Sequence, residues 1–227
     1  MQLLALYKRT VMDKSQPDKK YAENWDEYYD TYPVPEWLAK RMWHEFKTVL
    51  QPHVPDHHLT VVELGGADSD ILHRFEKSFS VNQYHVVDNN EAGLKRFHKR
   101  YGNGVGVAHL KDLVEESPPD LQADLAISGG LIEHFEPTGT TSMIQRHFDC
   151  VRPGGLVLMS FPRSTVPYWL TRKLATRLGL FSADHYERPL DPGEIRPVLQ
   201  KHGEVLAYTT IWSIGLTQSV TLTRKAV

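Results

Sequence analysis

Cysteine is almost absent from this chain: Cys150 is the only one. A lone cysteine forms no intrachain disulfide and has no partner for a cysteine-based zinc site. Long apolar runs are missing too. Nothing approaches the ~18 consecutive apolar residues of a membrane-spanning helix, so none is expected. The opening MQLLALYKRTVMDK has a brief apolar stretch from Leu3 to Leu6. It has no basic leader, full apolar core or cleavage site, and does not read as a signal peptide. No charge sign dominates, with 26 Lys and Arg against 28 Asp and Glu and a formal net charge of −2. That argues against the strong electrostatic footprint of a nucleic-acid binder and leaves only a local basic patch open. Internal repeats and low-complexity tracts are absent. A cytoplasmic compartment is the default expectation.

The 227 residues are 41% hydrophobic, enough for one domain of ordinary size with a sizeable core. The first part is polar and aromatic: Tyr21 to Tyr32 sets Trp25, Tyr28 and Tyr29 among acids. A helix is expected from Pro35 to Leu50, with Trp37, Leu38, Met42, Phe46 and Leu50 at helical spacings. Strands and helices then alternate. Strands are expected at Leu59–Leu64, Tyr84–Val87, Val105–Leu110, Ala123–Ser128 and Leu156–Phe161. Between them, helices are expected at Ser69–Phe79, Glu91–Tyr101 and Thr140–Val151, the last ending at Arg152-Pro153-Gly154-Gly155. An amphipathic, basic stretch runs from Pro167 to Phe181, and a helix opened by Asp-Pro from Asp191 to His202. Two closing strands, Glu204–Trp212 and Leu216–Arg224, suggest an antiparallel hairpin. The pattern predicts an α/β fold: a doubly wound, Rossmann-like sheet of about seven strands with helices on both faces.

In such a sheet, ligands sit beyond the carboxyl ends of the strands, and the turn after the first strand is the usual place. Here that turn reads VVELGGADSDILHRF, Val61 to Phe75. Glycine lets the backbone approach a ligand with no Cβ in the way, and the next helix points amide N–H groups toward it. A diphosphate cradle would need G-x-G-x-x-G. From Gly65 those positions are Gly65, Ala67 and Asp70, and an aspartate is a poor neighbour for a diphosphate. Asp88 ends the second strand in YHVVDNN, where an acid can accept both hydroxyls of a ribose.

The same turn resembles the first motif of class I S-adenosylmethionine-dependent methyltransferases, an acid followed by alternating glycines, with the small residues Ala67 and Ser69 in place of the later two. Here it runs Glu63-x-Gly65-x-Ala67-x-Ser69. The later segments ADLAISGGLIEHF and VRPGGLVLMSFP resemble the family's fourth motif and its fifth-strand entry. The likeness covers about Glu63 to Pro162 and points to the branch acting on quinones, sugars and lipids. It implies S-adenosylmethionine as cofactor, bound by Glu63, Gly65, Gly66, Ala67, Asp88, Asn89, Asp112, Leu113, Ser128 and Gly129. Asp112 would accept from the adenine amine. The aromatics Trp25 and Tyr29 would close over the cofactor as a lid; an ordinary packed helix is the plain alternative.

On the acceptor side the resemblance places Glu133, His134, Tyr168, Trp169 and His185. Methyl transfer mainly needs alignment of two reactants, and a hydroxyl or amine acceptor must also lose a proton. His134 is the candidate catalytic base, with a structural or orienting role as the competing reading. The organisation expected is an N-terminal helical cap over 1–50 and a methyltransferase domain over 51–227, with a substrate-cap insertion near 165–190. The basic segment from Tyr168 to Phe181 reads as that cap, as a dimer surface or as a peripheral lipid contact. The expected reaction is methylation of a small molecule, on oxygen rather than nitrogen or carbon, by a monomer or homodimer. No metal and no nucleic-acid partner are expected. Two other classes remain: a nicotinamide-dependent oxidoreductase, and a non-catalytic partner protein that keeps the fold.

Overall fold

A computed structural model describes residues 36–178, 187–213 and 216–227. Trp25, Tyr28, Tyr29 and His185 lie outside these residues, as do 179–181 at the end of the expected basic helix. The described chain opens with helix α1, Glu36–Leu50, which buries Phe46, Val49 and Leu50. Then follow β1 (Leu59–Leu64), α2 (Ile71–Glu76), β2 (Val81–Asp88), α3 (Glu91–Tyr101), β3 (Gly106–Leu110) and β4 (Ala123–Gly129). A short 3₁₀ turn, Ile132–His134, leads into α4 (Pro137–Cys150) and β5 (Val151–Pro162). Helices α5 (Val166–Arg177) and α6 (Pro192–His202) precede β6 (Gly203–Ser213) and β7 (Leu216–Lys225).

The seven strands form one sheet in the order β3-β2-β1-β4-β5-β7-β6. The pairs from β3 to β5 are parallel, and β7 runs antiparallel to both β5 and β6. From β1 the chain winds outward through β2 and β3, then returns to place β4 on the other side of β1. The crevice between β1 and β4 is therefore the topological switch point, where ligands bind in open α/β sheets.

Alternation along the strands assigns each side chain to one of two cores. Val61, Tyr84, Val86, Leu125, Ile127 and Leu158 pack with α1, α2 and α3 through Phe46, Phe75 and Phe97. Val62, Leu64, Val87, Ala126, Val157 and Met159 pack with α4 and α6 through Ile144, Phe148 and Leu199. Both faces are covered, which explains why β1 and β4 read as unbroken apolar runs. Glu63 has the parity of Val61 and so turns into the α1–α3 core.

Local chemistry sets the helix starts. The Oδ1 of Asn90 accepts from Gly93 N at 2.7 Å, and that of Asp191 from Gly193 N at 2.7 Å. Thr165 Oγ1 accepts from Tyr168 N at 3.2 Å. These are N-caps, worth about 1 kcal/mol each. Several boundaries differ from the sequence expectation, β2 beginning at Val81 rather than Tyr84 among them, and three have local causes. Helix α2 spans Ile71–Glu76, not Ser69–Phe79. Ser69 is held in the preceding turn, its N–H on Gly66 O at 3.0 Å and its Oγ accepting from Ile71 N at 3.0 Å. Ser78 and Phe79 both donate to Phe75 O, which closes the chain back so that the Phe79 ring meets Phe75 at 5.1 Å. Helix α4 starts at Pro137 rather than Thr140, because proline's fixed φ suits the first helical position. The Arg152–Gly155 segment is a bulge inside β5: Val151 pairs with Ala123, and the next pair is Leu156 with Leu125. Gly154 takes φ +75° there.

At the amino ends of β1 and β4, Asp124 ties three segments together. Its carboxylate accepts from Thr60 N at 2.9 Å and Arg152 Nε at 2.9 Å, and contacts His57 Nε2 at 3.1 Å. Burial pushes the Asp124 pKa up, but these partners outweigh it and hold it below its ordinary value. Asp124→Ala should lose about 3 kcal/mol of unfolding free energy, since it strands a buried N–H and a cation. The depressed pKa means this contribution is present at neutral pH and lost as pH falls below 3.8. Urea unfolding at pH 7 and pH 3 should show the deficit shrinking at the lower pH.

Candidate functional site

The turn after β1 is built from glycines where side chains would collide. Gly65 has φ +72°, and a Cβ there would lie 2.8 Å from Leu131 Cδ1 in the loop after β4. A Cβ on Gly66 would lie 2.4 Å from Cδ of Glu63. The turn thus touches the β4 loop on one side and folds over the Glu63 carboxyl on the other. Gly65 N donates to Val87 O at 2.9 Å, which extends the β1–β2 ladder into the turn. Next to it, Ala67 is buried and would meet any side chain at Gly93 of α3.

Asp88, at the end of β2, holds this turn. Its Oδ2 accepts from Ala67 N at 3.1 Å and its Oδ1 from Asn90 N at 2.8 Å. A carboxylate has about four acceptor positions, so acceptor capacity remains for a ligand. Burial raises its pKa, and the backbone N–H groups of Asn90, Ala67 and Asn89 oppose that rise. Asn89 itself is exposed at the rim.

Glu63 is buried, and Tyr84 OH donates to its Oε2 at 2.8 Å. Burial is the main reason its pKa rises to about 7, against hydrogen bonds from Tyr84 and Ser69. Glu63 therefore lies under the turn and acts on it from below. Tyr84 was not singled out by sequence reasoning. The available signal was parity, since Tyr84 and Val86 share a face of β2 and Val61 and Glu63 share the facing one. A second unforeseen group braces the turn from outside: Asp68 pairs with Arg96 Nε at 2.7 Å and with Arg100 of α3.

Asp112 and Leu113 follow β3. Asp112 Oδ1 accepts from Val114 N at 2.9 Å, which shapes its own loop, and Leu113 is buried in the core beside Val87. Lys111 N donates to Asp88 O at 2.9 Å, so this loop does run beside the end of β2.

Across the switch point, β4 ends in Ser128 and Gly129, and Gly130 takes φ +78°. Ser128 Oγ is buried without a hydrogen-bond partner. Glu133 and the half-buried His134 lie in the 3₁₀ turn. Glu133 is wholly buried and its Oε2 also lacks a partner. Burial, then the nearby charge of Glu187, holds its pKa well above the carboxylate range. Glu187 in turn pairs with Arg172 at 2.9 Å and accepts from Tyr168 OH. The Tyr168 side chain is thus buried in a Tyr168–Arg172–Glu187 cluster, and Trp169 Nε1 donates to Ser164 Oγ at 3.3 Å. Arg188 forks onto Glu194 with two bonds of 2.8 Å, and its backbone N–H reaches Glu133 O at 3.0 Å. This straps residues 187–190 against the β4 loop.

Of the residues expected from sequence, Glu63, Gly65, Gly66, Ala67, Asp88 and Asn89 gather around one turn. Ser128, Gly129, Glu133 and His134 gather at the neighbouring strand end. Trp25, Tyr29 and His185 lie outside the described residues. Among the described residues, no group of three or more His, Cys, Asp or Glu could hold a metal ion. None of their helices is long and apolar enough to cross a membrane.

The raised pKa of Glu63 gives a signed prediction. Between its ordinary value of 4.5 and about 7 the native state holds a proton that the unfolded state releases. Its contribution is therefore complete at low pH and lost as pH rises through about 7, a swing of about 3 kcal/mol. Glu63→Gln removes this swing and should be more stable than the parent at pH 8, with little difference at pH 4. Chemical denaturation at both pH values checks it.

No protein-family model matches the sequence, and no curated protein sequence matches it. Similarity appears in three dimensions. Magnesium protoporphyrin IX methyltransferase from Synechocystis PCC 6803, solved with S-adenosylhomocysteine bound, superposes with a TM-score of 0.66 at 14% identity, covering 89% of this chain and 93% of that one. The N-methyltransferase NodS from Bradyrhizobium japonicum WM9, also in complex with S-adenosylhomocysteine, gives 0.60 at 13%, covering 98% and 97%. The 1,6-didemethyltoxoflavin N1-methyltransferase from Burkholderia thailandensis gives 0.60 at 17%, covering 86% and 91%, with its substrate and S-adenosylhomocysteine bound. The seven-stranded sheet with its reversed last hairpin is the Rossmann-like fold that these class I methyltransferases carry.

Proposed function

We propose that the chain is an S-adenosylmethionine-dependent methyltransferase acting on a small molecule. The observation that carries this reading is the Asp88 carboxylate, bonded to Ala67 N beside a glycine turn at the β1/β4 switch point. The residues present fit the cofactor. Gly65 and Gly66 leave bare backbone, Asp88 keeps acceptor capacity for a diol, and Ser128 Oγ is a buried polar atom without a protein partner. A diphosphate fits less well, because Asp70 stands at the start of α2 with its charge on Arg74 at 3.0 Å. That argues for a sulfonium cofactor over a dinucleotide.

When bound, S-adenosylmethionine supplies a methyl group activated by its sulfonium. The chain holds the ribose with Asp88, lines the turn with Gly65, Gly66 and Ala67, and presents Ser128, Gly129, Glu133 and His134 to the acceptor. Asn89, Asp112 and Leu113 complete the cofactor side, and His134 stands on the acceptor side as a base or an orienting group. Tyr168 and Trp169 belong to a cap over residues 165–190, and α1 to an N-terminal cap over 1–50. Oxygen is the acceptor atom favoured by the resemblance. Along α5, Val166, Leu170, Leu174 and Leu178 stand 59–74% exposed. Lys173 and Arg177 lie beside them and the helix has no acid, a composition suited to a nonpolar acceptor or a peripheral lipid contact.

Isothermal titration should give Kd values on the order of micromolar for S-adenosylmethionine and S-adenosylhomocysteine, with no heat from NAD. Asp88→Ala should weaken both about a hundredfold or more, the size of two lost charge-assisted hydrogen bonds. Absence of binding by the parent protein would defeat the reading. Unchanged affinity in the variant would remove Asp88 from the site.

A further inference from the structure

Two carboxyls are deeply buried at the switch point, and they differ in one respect. Glu63 has Tyr84 OH for a partner, whereas Glu133 Oε2 has none. Buried polar atoms are nearly always hydrogen-bonded, and an unsatisfied one costs about 1–3 kcal/mol, more for a charged group. A protein that keeps such an atom usually holds it for a ligand or for chemistry.

The position of Glu133 narrows which. Its Oε1 lies 3.4 Å from where a Cβ on Gly130 would be, an ordinary contact distance, so the carboxyl sits directly against the Gly130 turn. Ser128 Oγ, five residues earlier near the end of β4, is another buried atom without a partner. The intervening loop carries Leu131, which covers Gly65. Both unpartnered groups therefore cluster at the end of β4, across the crevice from the glycine turn. Among the described residues, no cation bonds Glu133 Oε2. The Arg188 guanidinium bonds Glu194, Thr140 Oγ1 at 2.9 Å and Phe135 O at 3.3 Å. The Arg172 guanidinium bonds Glu187 and Tyr168 OH at 3.3 Å. Glu187 adds a like charge.

We infer that Glu133 Oε2 receives the hydrogen of the methyl acceptor, so that the acceptor presents an O–H or N–H and is neutral or cationic, not a carboxylate or phosphate. The inference rests on the methyltransferase reading. In the step it serves, the acceptor's lone pair forms the new bond to the methyl carbon. The carbon–sulfur pair leaves with sulfur, and the proton released by oxygen or nitrogen passes to Glu133 Oε2. A carboxyl whose pKa is held high is a stronger base once ionised, and a hydrogen bond from the acceptor favours the ionised form. His134, on the same 3₁₀ turn, then orients the acceptor.

Sinefungin tests this without knowledge of the acceptor. It carries a protonated amine at the carbon that replaces the methylated sulfur, so its N–H groups stand where the acceptor's hydrogen would. Titration of the whole chain should show sinefungin binding about tenfold or more tighter than S-adenosylhomocysteine, as one charge-assisted hydrogen bond provides. Glu133→Gln should abolish that preference while leaving S-adenosylhomocysteine affinity within about twofold, and His134→Ala should keep it. Equal affinities in the parent protein overturn the inference, whatever becomes of the variants. So does a preference that survives Glu133→Gln or disappears in His134→Ala. Failure of S-adenosylhomocysteine to bind the parent protein takes down the underlying methyltransferase reading as well.

Discussion

The hydrogen bond from Ala67 N to Asp88 Oδ2 joins the turn after β1 to the end of β2, and much of the site depends on it. Parallel strands bond to each other only along their length, and the turns beyond their carboxyl ends have no ladder to hold them. Asp88 extends the link between β1 and β2 past the last backbone pair. It does so with a side chain that keeps acceptor capacity for a ligand. Gly65 N on Val87 O extends the same link through the backbone. The result is a turn whose bare backbone is aimed before any ligand arrives.

That arrangement requires burial of acids that would otherwise face water. Glu63 lies beneath Gly66 with its charge form disfavoured, and Tyr84 supplies its one strong compensating bond. Glu133 lies beneath Gly130 with less compensation. Glu63 occupies the volume that a Cβ on Gly66 would need, whereas Gly130 is called for by its φ of +78° and leaves the Glu133 carboxyl at ordinary contact distance. Structural burial of a satisfied acid supports the turn, whereas burial of an unsatisfied one points toward chemistry. The difference between the two lies in the partner, not in the residue type.

Around the crevice, rigid elements alternate with segments tied by ion pairs. Asp68 reaches Arg96 and Arg100 on α3, and Arg74 reaches Asp70 and Glu36. These pairs are partly exposed and each adds little stability by itself. Their effect is positional, because they join α1, α2 and α3 near the glycine turn. On the other side, Arg188 binds Glu194, Thr140 and the 3₁₀ turn together in a single fork. The apolar row on α5 stands outside both networks.

The sequence alone determined the strand–helix alternation, the glycine turn, the acid ending β2 and the closing hairpin. Each depends on local periodicity or on residues adjacent in the chain. Runs such as LTVVEL and ADLAISG are apolar throughout because both faces of the sheet are covered, so burial was legible without coordinates. Helix α2 was legible only in part, because Ser69 and Phe79 are claimed by contacts with the turn and with Phe75 and Trp43. Only tertiary structure decided the fate of the acids. Glu63, Asp112 and Glu133 look alike in sequence as acids near strand ends. One meets Tyr84 from the next strand, one turns back on its own loop, and one is enclosed with a bare oxygen. Those outcomes depend on partners distant in the chain and on the exclusion of water, neither of which is written in local pattern.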